Sequence, residues 1–101
     1  MTYSLVLKEE IEKDLSKLSS SQKLLVYKQF KKLQTSPELG QPLGNKNNLH
    51  LTGLKKMYFD GKRYRVVYEV VESEVLVYII AIGKRDKMEV HEKAGERRWN
   101  M

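Results

Sequence analysis

The stretch that decides the fold is residues 62–85, KRYRVVYEVVESEVLVYIIAIGKR. Two apolar runs rich in valine, isoleucine and tyrosine lie on either side of a short acidic turn, Glu72–Glu74. This composition is typical of β-strands and predicts a hairpin whose strands span about residues 63–71 and 75–82. The second run is apolar on both faces, which predicts the most buried strand. Lysines and arginines at both ends of the hairpin either keep a sheet edge soluble or bind phosphate.

The first half of the chain predicts a strand followed by two amphipathic helices. Residues 3–7 have the composition of a short strand, and residues 8–18 repeat apolar side chains at helical spacing. Ser19 and Gln22 form a capping-box pattern that begins the second helix, which ends before Pro37. The apolar stripes of the two helices are Ile11, Leu15 and Leu18, and Val26, Phe30 and Leu33.

The remaining segments complete an α+β fold. Residues 38–53 are rich in glycine, proline and asparagine and predict an irregular connection, whereas residues 54–59 predict a further strand. The polar C-terminal residues predict a tail or a short helix. We therefore predict a single α+β domain over residues 1–101, in which an N-terminal strand and two helices pack on an antiparallel sheet of about four strands.

Composition excludes several classes of protein. The chain of 101 residues contains no cysteine, so disulfides and thiolate metal sites are unavailable, which suits a reducing cytosol. Glu69, Glu72 and Glu74 interrupt the longest apolar region, which argues against a membrane span. The N-terminal residues lack the basic and apolar regions of a signal peptide. We expect a cytoplasmic protein.

Positive charge points to an anionic partner. The net charge is +6 and the pI is about 9.5, values that favour nucleic acid as the partner. Residues 55–65, KKMYFDGKRYR, hold five basic residues against one aspartate and interleave them with aromatic rings. Phosphate attraction and base stacking could therefore combine in this segment.

Strand alternation predicts which charges share a face of the sheet. Lys56 and Tyr58 should point to one face of their strand, and Arg65 should lie on the charged face of the next. If the acidic turn forms a three-residue loop, Arg65 falls opposite Ala81, and Arg65 and Arg85 project from the same face. A two-residue loop would instead place the two arginines on opposite faces.

The run YRVVYEVVESEVLVYIIAIGKRD, preceded by GLKKMYFDG, resembles the sheet of the RelE/ParE superfamily of bacterial and archaeal toxins. The order and length of the two helices agree with that superfamily. The resemblance implies a ribosome-dependent endoribonuclease that cuts mRNA in the decoding site, and that a co-encoded antitoxin holds inactive. The ParE branch shares the fold but poisons DNA gyrase.

The resemblance also implies site residues. Arg65 matches the arginine of the Tyr-Arg strand, Arg85 the arginine after Gly-Lys, and Lys56 the first of two alternate lysines. Tyr58 stands where RelE carries the second lysine, and His91 stands where RelE has a tyrosine. The implied catalytic residues are Lys56, Arg65, Arg85 and His91, and the expected RNA-binding residues are Lys55, Tyr58, Lys62, Arg63 and Lys84.

The residue types permit a metal-independent attack by the RNA 2′-OH. Arginine grips phosphate oxygens with a planar fork and stays charged, and histidine can donate or accept a proton near neutral pH. The sequence contains no cluster of aspartate, glutamate and histidine at ligand spacing, so a two-metal nuclease is disfavoured and no small-molecule cofactor is expected.

The expected partners are a cognate antitoxin and the ribosome, with its 16S rRNA and A-site mRNA. We expect Val67 and Val77 to be exposed beside the basic patch, and an acidic or helical antitoxin segment to cover this surface. The alternatives are a ParE-like gyrase inhibitor and a nucleic-acid-binding module without catalysis. In the plainest interpretation, Lys56 is an ordinary edge-strand lysine, the arginines form surface ion pairs and His91 is a solvated surface histidine.

Overall fold

The computed structural model describes residues 2–43 and 53–84. The predicted C-terminal helix or tail, with Arg85 and His91, lies outside these ranges. The elements, in chain order, are β1 (Ser4–Leu7), α1 (Glu9–Ser16), α2 (Ser20–Thr35), a 3₁₀ turn (Pro37–Leu39), β2 (Gln41–Pro42), β3 (Leu54–Phe59), β4 (Tyr64–Val71), a second 3₁₀ turn (Glu72–Glu74) and β5 (Leu76–Lys84).

The strands form one five-stranded sheet in the order β1-β5-β4-β3-β2. The predicted α+β architecture is confirmed, but the sheet is mixed, because β1 runs parallel to β5 while the other pairs are antiparallel. Hydrophobic periodicity identifies strands without identifying their neighbours, so it could not predict this crossover. The fifth strand, β2, lies in the segment predicted to be irregular. It has two residues, and its Pro42 is tolerated because β2 is an edge strand.

Both helices begin and bury residues as the sequence predicts. The backbone N–H of Gln22 donates to Ser19 Oγ (3.2 Å), and the Ser19 N–H donates to Gln22 Oε1 (3.0 Å), so the predicted capping box of α2 is confirmed. The predicted stripes contribute five buried residues to the core, namely Ile11, Leu18, Val26, Phe30 and Leu33. Neither helix in the described part of the chain is long and apolar enough to cross a membrane.

The sheet carries an apolar cluster on each face. The larger cluster lies between the helices and the sheet and includes Phe59, Val66, Tyr68, Val77, Ile79 and Ile82. The smaller cluster lies on the opposite side, called the second face below, and consists of Leu43, Leu54, Val67, Ile80 and Ala81. The prediction that Val67 and Val77 are exposed is wrong, because each is fully buried in one of these clusters. As predicted, β5 is the strand with the most buried residues.

The predicted pairing of Arg65 with Ala81 is also wrong. The hairpin loop has four residues, 72–75, and ends on Val75 in a left-handed conformation (φ 54°), so that Val71 pairs with Leu76. An irregularity follows in β5, where Ile80 is the extra residue of a β-bulge. Arg65 therefore lies opposite Gly83. The four-residue loop pairs odd-numbered residues of β4 with even-numbered residues of β5. The bulge adds one residue to β5, so beyond Ile80 odd-numbered residues pair with odd-numbered ones and share a face.

Candidate nucleic-acid interface

Lys56, Tyr58 and Arg65 lie together on the second face of the sheet. The Nζ atom of Lys56 is 5.4 Å from the centroid of the Tyr58 ring, and the Cζ atom of Arg65 is also 5.4 Å from it. Both distances fall within the range of cation–π attraction. The tyrosine ring is thus flanked by an ammonium group and a guanidinium group, and all three side chains are half-buried. These three residues are called the cation–tyrosine cluster below.

The sheet register creates this arrangement. Lys56 and Tyr58 are two residues apart on β3 and therefore share a face. Tyr58 pairs with Arg65, and Arg65 pairs with Gly83 on its other side, so Tyr58, Arg65 and Gly83 form one row across strands β3, β4 and β5. Gly83 has no side chain to compete for space on that face, and the Nε atom of Arg65 is shielded from solvent. The predicted alternation on β3 and β4 is confirmed.

Helix α2 holds the end of β3 that carries Tyr58. The side-chain amide of Gln29 donates to the backbone carbonyl of Tyr58 (2.7 Å). The side-chain amide of Gln22 donates to Asp60 Oδ2 in the following turn (2.8 Å), and this bond is the largest cause lowering the pKa of Asp60. Gln22, the N3 residue of the α2 capping box, therefore also positions the β3–β4 turn. We infer that helix α2, on the helix side of the sheet, fixes the backbone that carries Tyr58 of the cation–tyrosine cluster.

The other predicted RNA-binding residues do not join the cluster. Lys55 pairs with Tyr68 and Lys84 with Tyr64, so both lysines occupy strand positions of the helix-side face. Arg63 forms an ion pair with Asp60 (Nη2–Oδ1, 3.1 Å) at the turn, where its side chain is 76% exposed. Lys62 lies in the same turn with φ 67°. These four residues remain RNA-binding predictions, spread over a turn and the opposite face.

Two of the predicted catalytic residues lie outside the described ranges. Arg85 follows directly after Lys84, the last described residue of β5, and His91 lies further along. Their roles stay predictions. Among the described residues, no three histidine, aspartate or glutamate side chains are grouped so as to hold a metal ion. The described part of the candidate site offers two cations and a phenol ring.

A buried tyrosine that sequence reasoning missed supports the backbone beside Lys56. The Tyr68 hydroxyl donates to the Pro37 carbonyl (2.6 Å) and accepts a hydrogen bond from the Gly40 N–H (2.9 Å). Burial raises the pKa of Tyr68 to about 12. A Cβ atom at Gly40 would lie 2.8 Å from the Lys56 carbonyl oxygen and closer still to the Tyr68 hydroxyl. Tyr68 therefore holds residues 37–40 against β3, and β2 then pairs with Lys56 through Gln41.

A second missed residue is Asp14, a carboxylate in the interior. Its side chain is only 3% exposed, and Oδ2 accepts a hydrogen bond from the backbone N–H of Ile82 (3.0 Å). Helical periodicity places Asp14 on the apolar face of α1, at the i+3 position between Ile11 and Leu18, so the spacing itself indicated a buried carboxylate. Since the two partners are 68 positions apart, no local pattern could have identified Ile82 as the contact.

Known proteins resemble this chain over almost its whole length. The family model described as "ParE toxin of type II toxin-antitoxin system" matches residues 5–89. The mRNA interferase toxin RelE of Escherichia coli is 30% identical over 98 residues, which cover 96% of this chain and 98% of that protein.

Solved structures agree with the sequence comparison. The structure of an arginine-to-alanine double mutant of E. coli toxin RelE in the free state has a TM-score of 0.74 at 27% identity, covering 96% of this chain and 98% of that one. The intact E. coli RelBE toxin–antitoxin complex gives a TM-score of 0.67 at 26% identity, with coverage of 84% and 99%. The resemblance inferred from the β-strand motifs is confirmed. The chain belongs to the ParE toxin family of type II toxin–antitoxin systems.

Proposed function

We propose that this chain is a cytoplasmic type II toxin that acts as an mRNA interferase, an endoribonuclease that cleaves mRNA on the ribosome and is inhibited by an antitoxin. The observation that carries the proposal is the cation–tyrosine cluster, in which Lys56 and Arg65 flank the ring of Tyr58. The relatives named mRNA interferase and the toxin–antitoxin complex with the same fold support it.

The cluster has the composition that binding single-stranded RNA requires. The Arg65 guanidinium can grip two phosphate oxygens at once and stays charged throughout the reaction. The Tyr58 ring offers an apolar surface on which a base can stack, a contact that tolerates any base. Lys56 adds a second positive charge at the same 5.4 Å from the ring centroid. A nucleotide placed on the second face would therefore meet a stacking surface between two phosphate-binding groups.

The proposed reaction is transesterification through the RNA 2′-OH. The 2′-oxygen loses its proton and attacks phosphorus, while the 5′-oxygen leaves and gains a proton, which yields a 2′,3′-cyclic phosphate. Arg65 and Arg85 stabilise the negative charge that develops on the phosphorane. Lys56 supplies positive charge or accepts the 2′-OH proton, and His91 donates the proton to the 5′-oxygen. The roles of Arg85 and His91 rest on the family resemblance.

The proposed antitoxin is an acidic chain. The net charge of +6 favours association with a partner rich in aspartate and glutamate, and such a partner would compete with RNA for the cluster. The E. coli RelBE toxin–antitoxin complex supports a protein inhibitor. The binding of toxin and antitoxin should consequently weaken as salt concentration rises.

The decisive experiment is single-turnover cleavage of mRNA on programmed ribosomes, read by primer extension. Arg65→Ala should reduce the cleavage rate by roughly 10²–10³-fold, the usual effect of removing one group that stabilises transition-state charge. Arg65→Lys should recover only part of the rate, because lysine keeps the charge without the planar fork. Lys13→Ala is the matched control, since it removes one positive charge from an exposed position of α1. It should cleave at about the parental rate.

Two results would contradict the proposal. The parent protein could leave mRNA intact both with and without ribosomes, or Arg65→Ala could cleave as fast as the parent. A parent that leaves mRNA intact and inhibits DNA supercoiling by gyrase would establish the ParE-like activity instead. The same purified protein can be used for both assays.

A further inference from the structure

Asp14 satisfies a backbone group that the sheet leaves without a strand neighbour. Strand β1 pairs with β5 only as far as the Leu7–Ile79 pair. Beyond Ile79, no described strand lies along the outer edge of β5, and α1 packs there instead. The N–H of Ile82 donates to Asp14 Oδ2 across this gap (3.0 Å). A charge-assisted bond of this kind is stronger than one between neutral groups.

The bond lies next to the row that holds Arg65. Ile82 is flanked by Ala81, which pairs with Val67, and by Gly83, which pairs with Arg65. It is also two residues after Ile80, the extra residue of the bulge. Asp14 therefore holds the short segment of β5 whose register depends on the bulge.

That segment has a competing register. If the pairing before the bulge continued without it, each residue of β4 would pair one position earlier on β5, and Arg65 would lie opposite Ile82. A one-residue slip turns every side chain to the other face. The side chain of Ile82 would leave the helix-side core and lie beside Arg65, where Gly83 now leaves space. The Asp14 carboxylate would then lose the amide that it accepts from.

We propose that Asp14 is a positioning residue for the cation–tyrosine cluster. By bonding the Ile82 amide it selects the bulged register of β5, and it thereby keeps Gly83, rather than an isoleucine, beside Arg65. The acceptor oxygen carries this role, so an amide in its place preserves most of it. The inference rests on the proposed function, since it is through RNA cleavage that the position of Arg65 acts.

The test compares Asp14→Ala and Asp14→Asn with Val26→Ala as a stability control. Val26 is fully buried in α2, so its truncation destabilises the protein while leaving both partners of the Asp14–Ile82 bond unchanged. Amide hydrogen exchange followed by NMR reports the Ile82 bond without any need for activity. In Asp14→Ala, exchange at Ile82 should accelerate by roughly 10–10²-fold beyond the global change, as expected for one lost hydrogen bond. In Asp14→Asn it should stay within roughly threefold of the parent, because one acceptor oxygen is retained.

Single-turnover cleavage gives the second measurement, at a temperature where all variants are folded. Asp14→Ala should lower the rate at saturating ribosome concentration by roughly tenfold or more, as misplacement of a catalytic group does, with little change in half-saturation. Asp14→Asn should recover most of the rate, and Val26→Ala should cleave like the parent.

The outcomes separate this inference from the proposed function. A parent that does not cleave contradicts the proposed function, whereas the exchange measurement still decides whether Asp14 holds β5. Unchanged protection of Ile82 in Asp14→Ala overturns the inference. It is equally overturned if Asp14→Ala cleaves at the parental rate, or if Val26→Ala loses as much activity as Asp14→Ala.

Discussion

Replacing Tyr68 with phenylalanine should destabilise the protein far more than the loss of one oxygen atom suggests. The hydroxyl makes two hydrogen bonds, donating to the Pro37 carbonyl at 2.6 Å and accepting from the Gly40 N–H at 2.9 Å. The phenylalanine ring would keep the apolar contacts of a side chain that is fully buried. The two backbone groups would lose their partner while the loop remains packed against the sheet.

The magnitude follows from the burial of those two groups. A buried polar group without a partner costs about 1–3 kcal/mol, and a typical hydrogen bond contributes about 0.5–1.5 kcal/mol net. Pro37 is buried, so its carbonyl bears the larger cost, whereas Gly40 is half-buried and its amide can reach some water. We expect a loss of about 2–3 kcal/mol in the free energy of unfolding, equivalent to roughly 10–20 °C in Tm for a domain of this size.

Equilibrium unfolding in urea measures this loss directly. The midpoint should fall while the slope with denaturant stays constant, because the surface exposed on unfolding hardly changes. Tyr27→Phe is the matched control, since the Tyr27 side chain is 44% exposed and the same oxygen is removed. Its free energy of unfolding should change by no more than about 0.5 kcal/mol. If Tyr68→Phe were as stable as Tyr27→Phe, the two hydrogen bonds would not hold residues 37–40 as described.

Three further predictions concern pH, space and proton transfer. The ordinary pKa of a tyrosine is 10.0, and burial raises that of Tyr68 to about 12 in the folded protein. The folded state therefore holds the phenol proton more tightly than the unfolded state does. The free energy of unfolding should consequently fall by roughly 2–3 kcal/mol as the pH rises from 10 to 12. Urea unfolding across that range should show this loss in the parent and not in Tyr68→Phe. The same pH dependence of the free energy of unfolding in both proteins would refute the assignment to Tyr68. Gly40→Ala should destabilise the protein by at least about 1 kcal/mol, since its Cβ would press on the backbone of Lys56. If this variant unfolded in urea at the same midpoint as the parent, the space for a Cβ atom would be available. His91→Ala should slow ribosomal cleavage by roughly 10²–10⁴-fold and His91→Tyr should restore part of the rate, whereas parental cleavage by His91→Ala would remove this residue from the mechanism.

Local patterns in the sequence predicted the parts of the fold that depend on near neighbours. Periodicity identified both helices and strands β3–β5, and the Ser19–Gln22 capping box began α2 where expected. Strand alternation also placed Lys56 and Tyr58 on one face, which is the part of the candidate site that local geometry determines.

The features that sequence reasoning missed join residues far apart along the chain. The hydroxyl of Tyr68 contacts a residue 31 positions away, and Asp14 contacts one 68 positions away. The chain also has a tyrosine in an exposed position and an aspartate in a turn, so residue type alone does not identify Tyr68 or Asp14. The parallel pairing of β1 and the bulge at Ile80 depend likewise on which segments meet, which single-strand patterns do not encode.

The bulge at Ile80 has a consequence for how relatives of this chain can differ in length. Deleting Ile80 would keep the Cα register on either side of it, because Tyr68 pairs with Ile79 and Val67 with Ala81. Its side chain would be lost from the smaller apolar cluster. Deleting one residue from the loop at 72–75 would instead force a new turn or a shifted register. A one-residue deletion in this hairpin is therefore expected at position 80 rather than in the loop, the reverse of the usual distribution between strands and loops.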